Sequence, residues 1–265
     1  MSESLKQRVI TAILMGAPIL LLLFMNDTTR IVFISLLAIL LLYEYLSLFY
    51  PIKSKLFHYL ISFVIAIVLM FVAYSYQEYY LPLLFVSLAV NVILIINLFF
   101  GKKSLHKIAP WISGPIYLVL PLSLLFFIKD ESFFQLILIG SILLSWVSDI
   151  SAYFVGKSVG KHKLIPRISP GKTWEGFLGA GMIVLIFSYF FASYDATFSL
   201  QNWLLIGLCV WIFGAAGDLV ESKLKRQINI KDSGSILPGH GGFLDRFDGF
   251  YFCLPFVLII INYCN

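Results

Sequence analysis

Apolar and polar positions alternate along this chain in long blocks rather than at the short periods of a soluble fold. Nine stretches, at about residues 9–26, 31–50, 57–76, 81–100, 111–128, 133–155, 176–194, 203–221 and 248–263, are almost free of charge. A helix needs about 20 apolar residues to cross a hydrocarbon core roughly 30 Å thick. A helix also satisfies its own backbone hydrogen bonds where no water is present. The pattern therefore predicts an all-α, polytopic integral membrane protein with about nine transmembrane helices. Segments such as D-T-T-R, S-Y-Q-E-Y-Y and K-D-E-S are the size of turns, while the alternate connections lengthen toward the C-terminus. Neither a repeat period nor a low-complexity linker divides residues 1–265, which read as a single membrane domain.

Charge orients these spans. Counting from a cytoplasmic N-terminus, 17 of the 19 Lys and Arg residues fall on the inner side, leaving only Arg30 and Lys129 outside. Such a bias follows the positive-inside rule and predicts a cytoplasmic N-terminus and an outer C-terminus. The formal charge of +5 then reflects topology beside anionic lipid, and nothing points to nucleic acid. Composition agrees, with 12% charged residues and a mean hydropathy of +0.93. Lys6 and Arg8 precede an apolar run that resembles a secretory signal, but no small-residue cleavage pattern follows, so it reads as a retained first span. Cys209, Cys253 and Cys264 are scattered in apolar runs and read as packing residues.

Polar chemistry gathers in the C-terminal half. Ser222 to Asp248 holds five of the nineteen basic residues, three carboxylates, one of four histidines and four glycines. Just before it, Asp218 and Glu221 stand where a hydrophobic helix leaves the bilayer. Asp218, Glu221, Ser222 and Lys225 share one helical face by their spacing. The P-G-H-G-G turn allows backbone approach to an anion, and Asp245, Arg246 and Asp248 open the last helix. Carboxylates suit Mg²⁺, which takes one or two of them plus water and substrate phosphates; the neighbouring cations suit the phosphates themselves. Upstream, Asp149 and Tyr153 share a helix face, and a carboxylate so near hydrocarbon needs a partner, either a metal or Lys157 or Lys161. Ser169, Lys172 and Thr173 precede a helix expected to start near Gly176, an arrangement suited to a phosphate or to simple helix capping. The G-K-T triplet is not a Walker A loop, since the required first glycine falls at Pro166. Glu44 is an intramembrane carboxylate that reads equally as functional or as a partner of Lys53 or Lys55. Asn91 and Asn97 are expected in interhelical hydrogen bonds.

S-K-L-K-R, K-D-S-G and L-P-G-H-G-G-F-L-D-R-F-D, preceded by D-I-S-A-Y-F-V-G and I-S-P-G-K-T-W-E-G, resemble in order and spacing the motifs of the CDP-diacylglycerol synthases, or phosphatidate cytidylyltransferases. The likeness is dense from Ser145 to Asp248 and limited to hydropathy over the first 110 residues; one departure is Gly171, where the family often carries a lysine. The resemblance implies Mg²⁺-dependent transfer of CMP from CTP to phosphatidic acid at the cytoplasmic face of a bacterial inner membrane. It also implies a homodimer and K⁺ as a candidate second ion. Residues 1–110 then become scaffold and dimer contacts, and residues 111–265 the catalytic helices and loops. Carried across, Asp218 and Asp245 match metal-binding carboxylates, with Asp149 and Asp248 as further candidates; Lys225 and Asp248 join them as catalytic residues. Ser169, Lys172, Thr173, Ser222, Arg226, Lys231, His240, Gly241, Gly242 and Arg246 become substrate- and phosphate-binding candidates. Two other classes fit less well. The D-G-x-x-A-R pattern of CDP-alcohol phosphotransferases is absent, and a transporter places its site near the midplane between similar halves, whereas these halves differ.

Overall fold

The computed structural model describes residues 26–101, 109–194, 197–234 and 241–264, with backbone alone at 52–54, 131–132 and 264. The expected first span, up to residue 25, and His240 lie outside the described residues. Eight helices stand where the other eight spans were expected. They are α1 (Asp27–Phe49), α2 (Ile52–Ser75), α3 (Tyr80–Phe100), α4 (Pro110–Phe127), α5 (Glu131–Val159), α6 (Trp174–Tyr194), α7 (Leu200–Gln227) and α8 (Leu244–Cys264). The turn-sized polar segments serve as helix caps, which relieve the orphan amides of a first turn. Asn26 accepts from the Thr29 amide (3.0 Å), Asp130 from the Phe133 amide (2.8 Å) and Ser199 from the Asn202 amide (3.2 Å).

Among the described residues seven helices, α1 to α7, are long and apolar enough to cross a membrane. Their outer faces carry large apolar side chains such as Phe57, Ile67, Phe71, Ile93, Phe99 and Met182, each more than half exposed. Exposing such a belt to water costs about 25 cal/mol per Å², whereas hydrocarbon removes that cost. The chain is an all-α polytopic membrane protein, with one addition that hydropathy did not reveal. Between α5 and α6, β1 (Lys163–Ile165) and β2 (Ser169–Thr173) form an antiparallel hairpin.

Helix α4 is irregular because Pro110, Pro115 and Pro121 remove amide donors. It passes through a π-helical stretch at Pro115–Val119 and ends in 3-10 geometry, and 78% of its apolar window is buried against protein rather than lipid. At the centre lies α8, where Tyr251, Phe252, Cys253 and Leu254 are fully buried. Helix α7 packs closely on it. A Cβ on Gly217 would lie 2.6 Å from the Phe252 Cβ and 2.7 Å from the Asp248 carbonyl, and one on Gly249 would lie 3.1 Å from the Gly214 carbonyl. Small residues let two helix backbones meet where lipid offers no hydrophobic drive to push them together. The G-A-A-G run thus brings Asp218 beside the first turns of α8. Asn91 donates to the Phe252 carbonyl across helices (2.9 Å), and Asn97 accepts from Lys223 (2.9 Å), as expected of amides in spans. Cys209 and Cys253 are buried packing residues.

Candidate active site

Five elements meet at the hairpin end of the bundle: the C-terminal halves of α5 and α7, the N-terminus of α8, strand β2 and, behind them, α1. The charged residues read as sharing a helical face or opening the last helix do lie on helices. Helix α7 runs on to Gln227, carrying Asp218, Glu221, Ser222, Lys225 and Arg226, and α8 starts at Leu244, carrying Asp245, Arg246 and Asp248. The expected spans ended at residue 221 and began again at residue 248, but the last turns of α7 and the first turn of α8 pack against one another and stay helical.

Strand β2 delivers Lys172. The hairpin pairs Lys163 with Thr173 and Ile165 with Ser169, so the longer strand bulges between those pairs, around Pro170 and Gly171. The Lys172 ammonium forms an ion pair with Asp218, whose other oxygen accepts from the Ser222 hydroxyl at 3.1 Å. Burial pushes the Lys172 pKa down, but the charges of Asp218, Asp248 and Asp149 outweigh that and hold it above the usual lysine value. The Thr173 hydroxyl is buried and accepts from the Gly176 amide (3.1 Å), capping α6, which begins at Trp174 rather than Gly176. Ser169 is half-buried at the start of the strand.

Lys225 forms the second ion pair, with Asp245, and lies 3.3 Å from Glu221. Asp245 in turn closes the connection between α7 and α8, because one oxygen accepts from the Ser233 amide (2.9 Å) and the Gly242 amide (3.0 Å). Gly241 beside it has φ +86°, a conformation that glycine adopts without strain. Glu221 is fully buried, and neither of its oxygens makes a hydrogen bond of good geometry. It faces Asp248, which also feels Asp218 and Asp149. Asp149 and Arg246 sit at the exposed edge of this group and act on each other electrostatically. The expectation that Lys157 or Lys161 neutralises Asp149 gives way to this arrangement: Lys157 lies over the Tyr153 ring, 5.7 Å from its centroid, and the cations that act on Asp149 are Lys172 and Arg246.

Asp149, Lys172, Asp218, Glu221, Ser222, Lys225, Asp245, Arg246 and Asp248 are therefore brought together. Arg226 is turned aside, its guanidinium donating to the carbonyls of Ile168 (3.4 Å) and Ile230 (3.2 Å). Lys231 is exposed in the turn after α7. Two carboxylates gain weight. Glu221 had shown only its helical spacing to Asp218 and Lys225. Glu44 directs its carboxylate to the Leu244 amide, from which it accepts a hydrogen bond at 2.6 Å; the side chain of Lys53, one of its two expected partners, lies outside the described residues.

The donor set can be tested against a metal. Ionised, Asp149, Asp218, Glu221, Asp245 and Asp248 face Lys172, Lys225 and Arg246 among the described residues, an excess of about two negative charges that desolvation makes costly. Glu44 adds to it from behind Asp245. A divalent cation would offset that excess. Among the described residues no three His, Cys, Asp or Glu side chains converge on one ligand position. The excess of carboxylate suits an ion that takes one or two carboxylates and completes its shell with phosphate oxygens and water, as Mg²⁺ would.

A family model described as the cytidylyltransferase family matches residues 6–264. The chain is similar to proteins named phosphatidate cytidylyltransferase. One from Staphylococcus aureus (strain COL) is 50% identical over 121 residues, covering 45% of this chain and 46% of the relative. One from Bacillus subtilis (strain 168) is 52% identical over 117 residues, covering 44% of each, and one from Staphylococcus haemolyticus is 51% identical over 124 residues. Each match thus spans less than half of the relative's length.

Proposed function

This chain belongs to the cytidylyltransferase family, and from that premise we propose that it is a phosphatidate cytidylyltransferase, which joins CTP and phosphatidic acid into CDP-diacylglycerol and pyrophosphate. The observation that carries the reading is the group of paired charges at one end of an apolar bundle: two lysines held on aspartates, an excess of carboxylate, and lipid-facing helices on either side. A water-soluble triphosphate and a membrane-bound phosphate can meet only at such a boundary.

In the reaction an ionised phosphatidate oxygen forms a bond to the α-phosphorus of CTP while the bond from that phosphorus to the bridging oxygen breaks, and the electron pair leaves with pyrophosphate. Phosphatidate is itself the nucleophile, so the protein's task is positioning and charge stabilisation. Lys172 and Lys225 present ammonium groups for phosphate oxygens; Arg246, at the exposed edge, is the next cation in reach, with Ser222 adding a hydroxyl. Asp218 and Asp245 would hold Mg²⁺, with Asp149 and Asp248 next to them, and K⁺ as a second ion belongs to the same proposal. When bound, Mg²⁺ supplies neutralisation of the charge that builds on the phosphates. The same reading puts the site on the cytoplasmic face of a bacterial inner membrane, where CTP is available, in a homodimer with N-terminus in and C-terminus out.

Purified protein in detergent, given labelled CTP, phosphatidate and Mg²⁺, should release pyrophosphate and form CDP-diacylglycerol. Asp218→Asn and Asp245→Asn should abolish turnover while the protein stays folded. Turnover near the wild-type rate in both variants refutes the assignment.

A further inference from the structure

Behind the charged cluster, one carboxylate from a distant part of the chain reaches into the active-site framework. Glu44 lies in α1, 200 residues before Leu244, and is 1% exposed. Its Oε2 accepts from the amide of Leu244, the first residue of α8, at 2.6 Å. Its Oε1 packs so closely against two glycines of the α7–α8 connection that a Cβ on either Gly234 or Gly242 would collide with it. Burying a carboxylate in the apolar part of a membrane protein is expensive, and an amide at a helix N-terminus is one of the few partners that offsets it.

The contacts form a chain of dependence. Asp245 directs one oxygen to Lys225 and gives the other to the amides of Ser233 and Gly242. Gly242 and Gly234, the residue after Ser233, rest on Glu44, and Leu244, next to Asp245, is held by it. The orientation of Asp245 is therefore set by a turn whose own position is set from α1.

We propose that Glu44 is a positioning residue for the reaction, a strut from the N-terminal helices that seats the first turn of α8 and the glycine turn so that Asp245 and Lys225 face the substrate. The inference rests on Asp245 belonging to the active site. It gives the N-terminal half a task in the reaction beyond scaffold. A Cβ at 234 would displace the Glu44 carboxylate, since the nearest atoms it would meet belong to Glu44.

The test uses the full chain in detergent with Glu44→Ala, Glu44→Gln, Gly234→Ala and the double variant Gly234→Ala/Glu44→Asp. Each is read by steady-state kinetics and by hydrogen exchange at the Leu244 amide. A misplacement of about 1 Å costs roughly 10²-fold in rate, so Glu44→Ala should lower kcat by about that factor, with little change in the KM for CTP, and should speed exchange at Leu244. Glu44→Gln keeps an acceptor for that amide and should restore both readings to within about threefold of wild type. Gly234→Ala should be impaired, and the shorter carboxylate side chain introduced by Glu44→Asp in the double variant should recover part of the loss. Glu44→Ala with wild-type kcat, a loss of kcat without faster exchange at Leu244, or no recovery in the double variant each overturns the proposal. Asp245→Asn is run alongside: if it turns over normally, the role of Asp245 falls, while the exchange measurement still decides whether Glu44 holds α8.

Discussion

Lys225→Met removes one ammonium that serves two buried carboxylates. Its side chain is 10% exposed, Glu221 is fully buried and Asp245 is 12% exposed, with Glu221 3.3 Å from the nitrogen. Taking one partner from a buried ion pair destabilises by about 3–5 kcal/mol, chiefly because the remaining charge stays desolvated. Here two carboxylates are left, so the upper part of that range is expected. Methionine fills similar volume, which keeps a cavity term small. At about 2–4 °C per kcal/mol for a chain of this size, the unfolding midpoint should fall by roughly 10–20 °C. The assay is thermal unfolding in one fixed detergent, comparing wild type, Lys225→Met, Lys225→Arg, Glu221→Gln and the double variant Lys225→Met/Glu221→Gln. Neutralising Glu221 removes one of the orphaned charges, so the double variant should melt above Lys225→Met alone, with a coupling of about 0.5–3 kcal/mol. A Lys225→Met midpoint within about 2 °C of wild type, or losses that simply add in the double variant, would refute the reasoning.

Two further outcomes follow from other residues. The Lys172 pKa lies above the ordinary lysine value, so its contribution to stability is complete below the unfolded value of about 10.4 and is lost as pH rises through the higher folded one; the melting gap between wild type and Lys172→Met should narrow as pH rises above about 10, and a gap that stays undiminished there contradicts the assignment. Lys223 donates to the Asn97 carbonyl (2.5 Å), the Asn97 side-chain oxygen (2.9 Å) and the Gly101 carbonyl (3.1 Å), closing the C-terminus of α3; Lys223→Met should cost about 1–3 kcal/mol in unfolding measurements with kcat unchanged, and a fall in kcat without a fall in melting temperature would show that it serves the reaction instead.

Hydropathy located eight helices to within a few residues because the requirement of about 20 apolar residues is written in composition. It stopped short at the end of α7 and the start of α8, where Lys225 and Asp245 remain helical although polar. Helical spacing placed Asp218, Glu221, Ser222 and Lys225 on one face, since the 3.6-residue period follows from backbone geometry alone. The hairpin of β1 and β2 was not legible: Ser-Pro-Gly-Lys-Thr has no alternating apolar pattern, and its pairing depends on packing between α5 and α6.

Taken by itself, the sequence determined the membrane class, the positions of the apolar helices and the inventory of carboxylates and cations, because each is a property of local composition and period. Which charge meets which was decided only by the tertiary structure. Lys172 reaches Asp218, Lys225 joins Glu221 to Asp245, and Glu44 turns to an amide 200 residues away. The physical reason is desolvation. A charge buried beside hydrocarbon must take the partner that packing brings within reach, and that packing rests on long-range contacts such as Gly217 against α8.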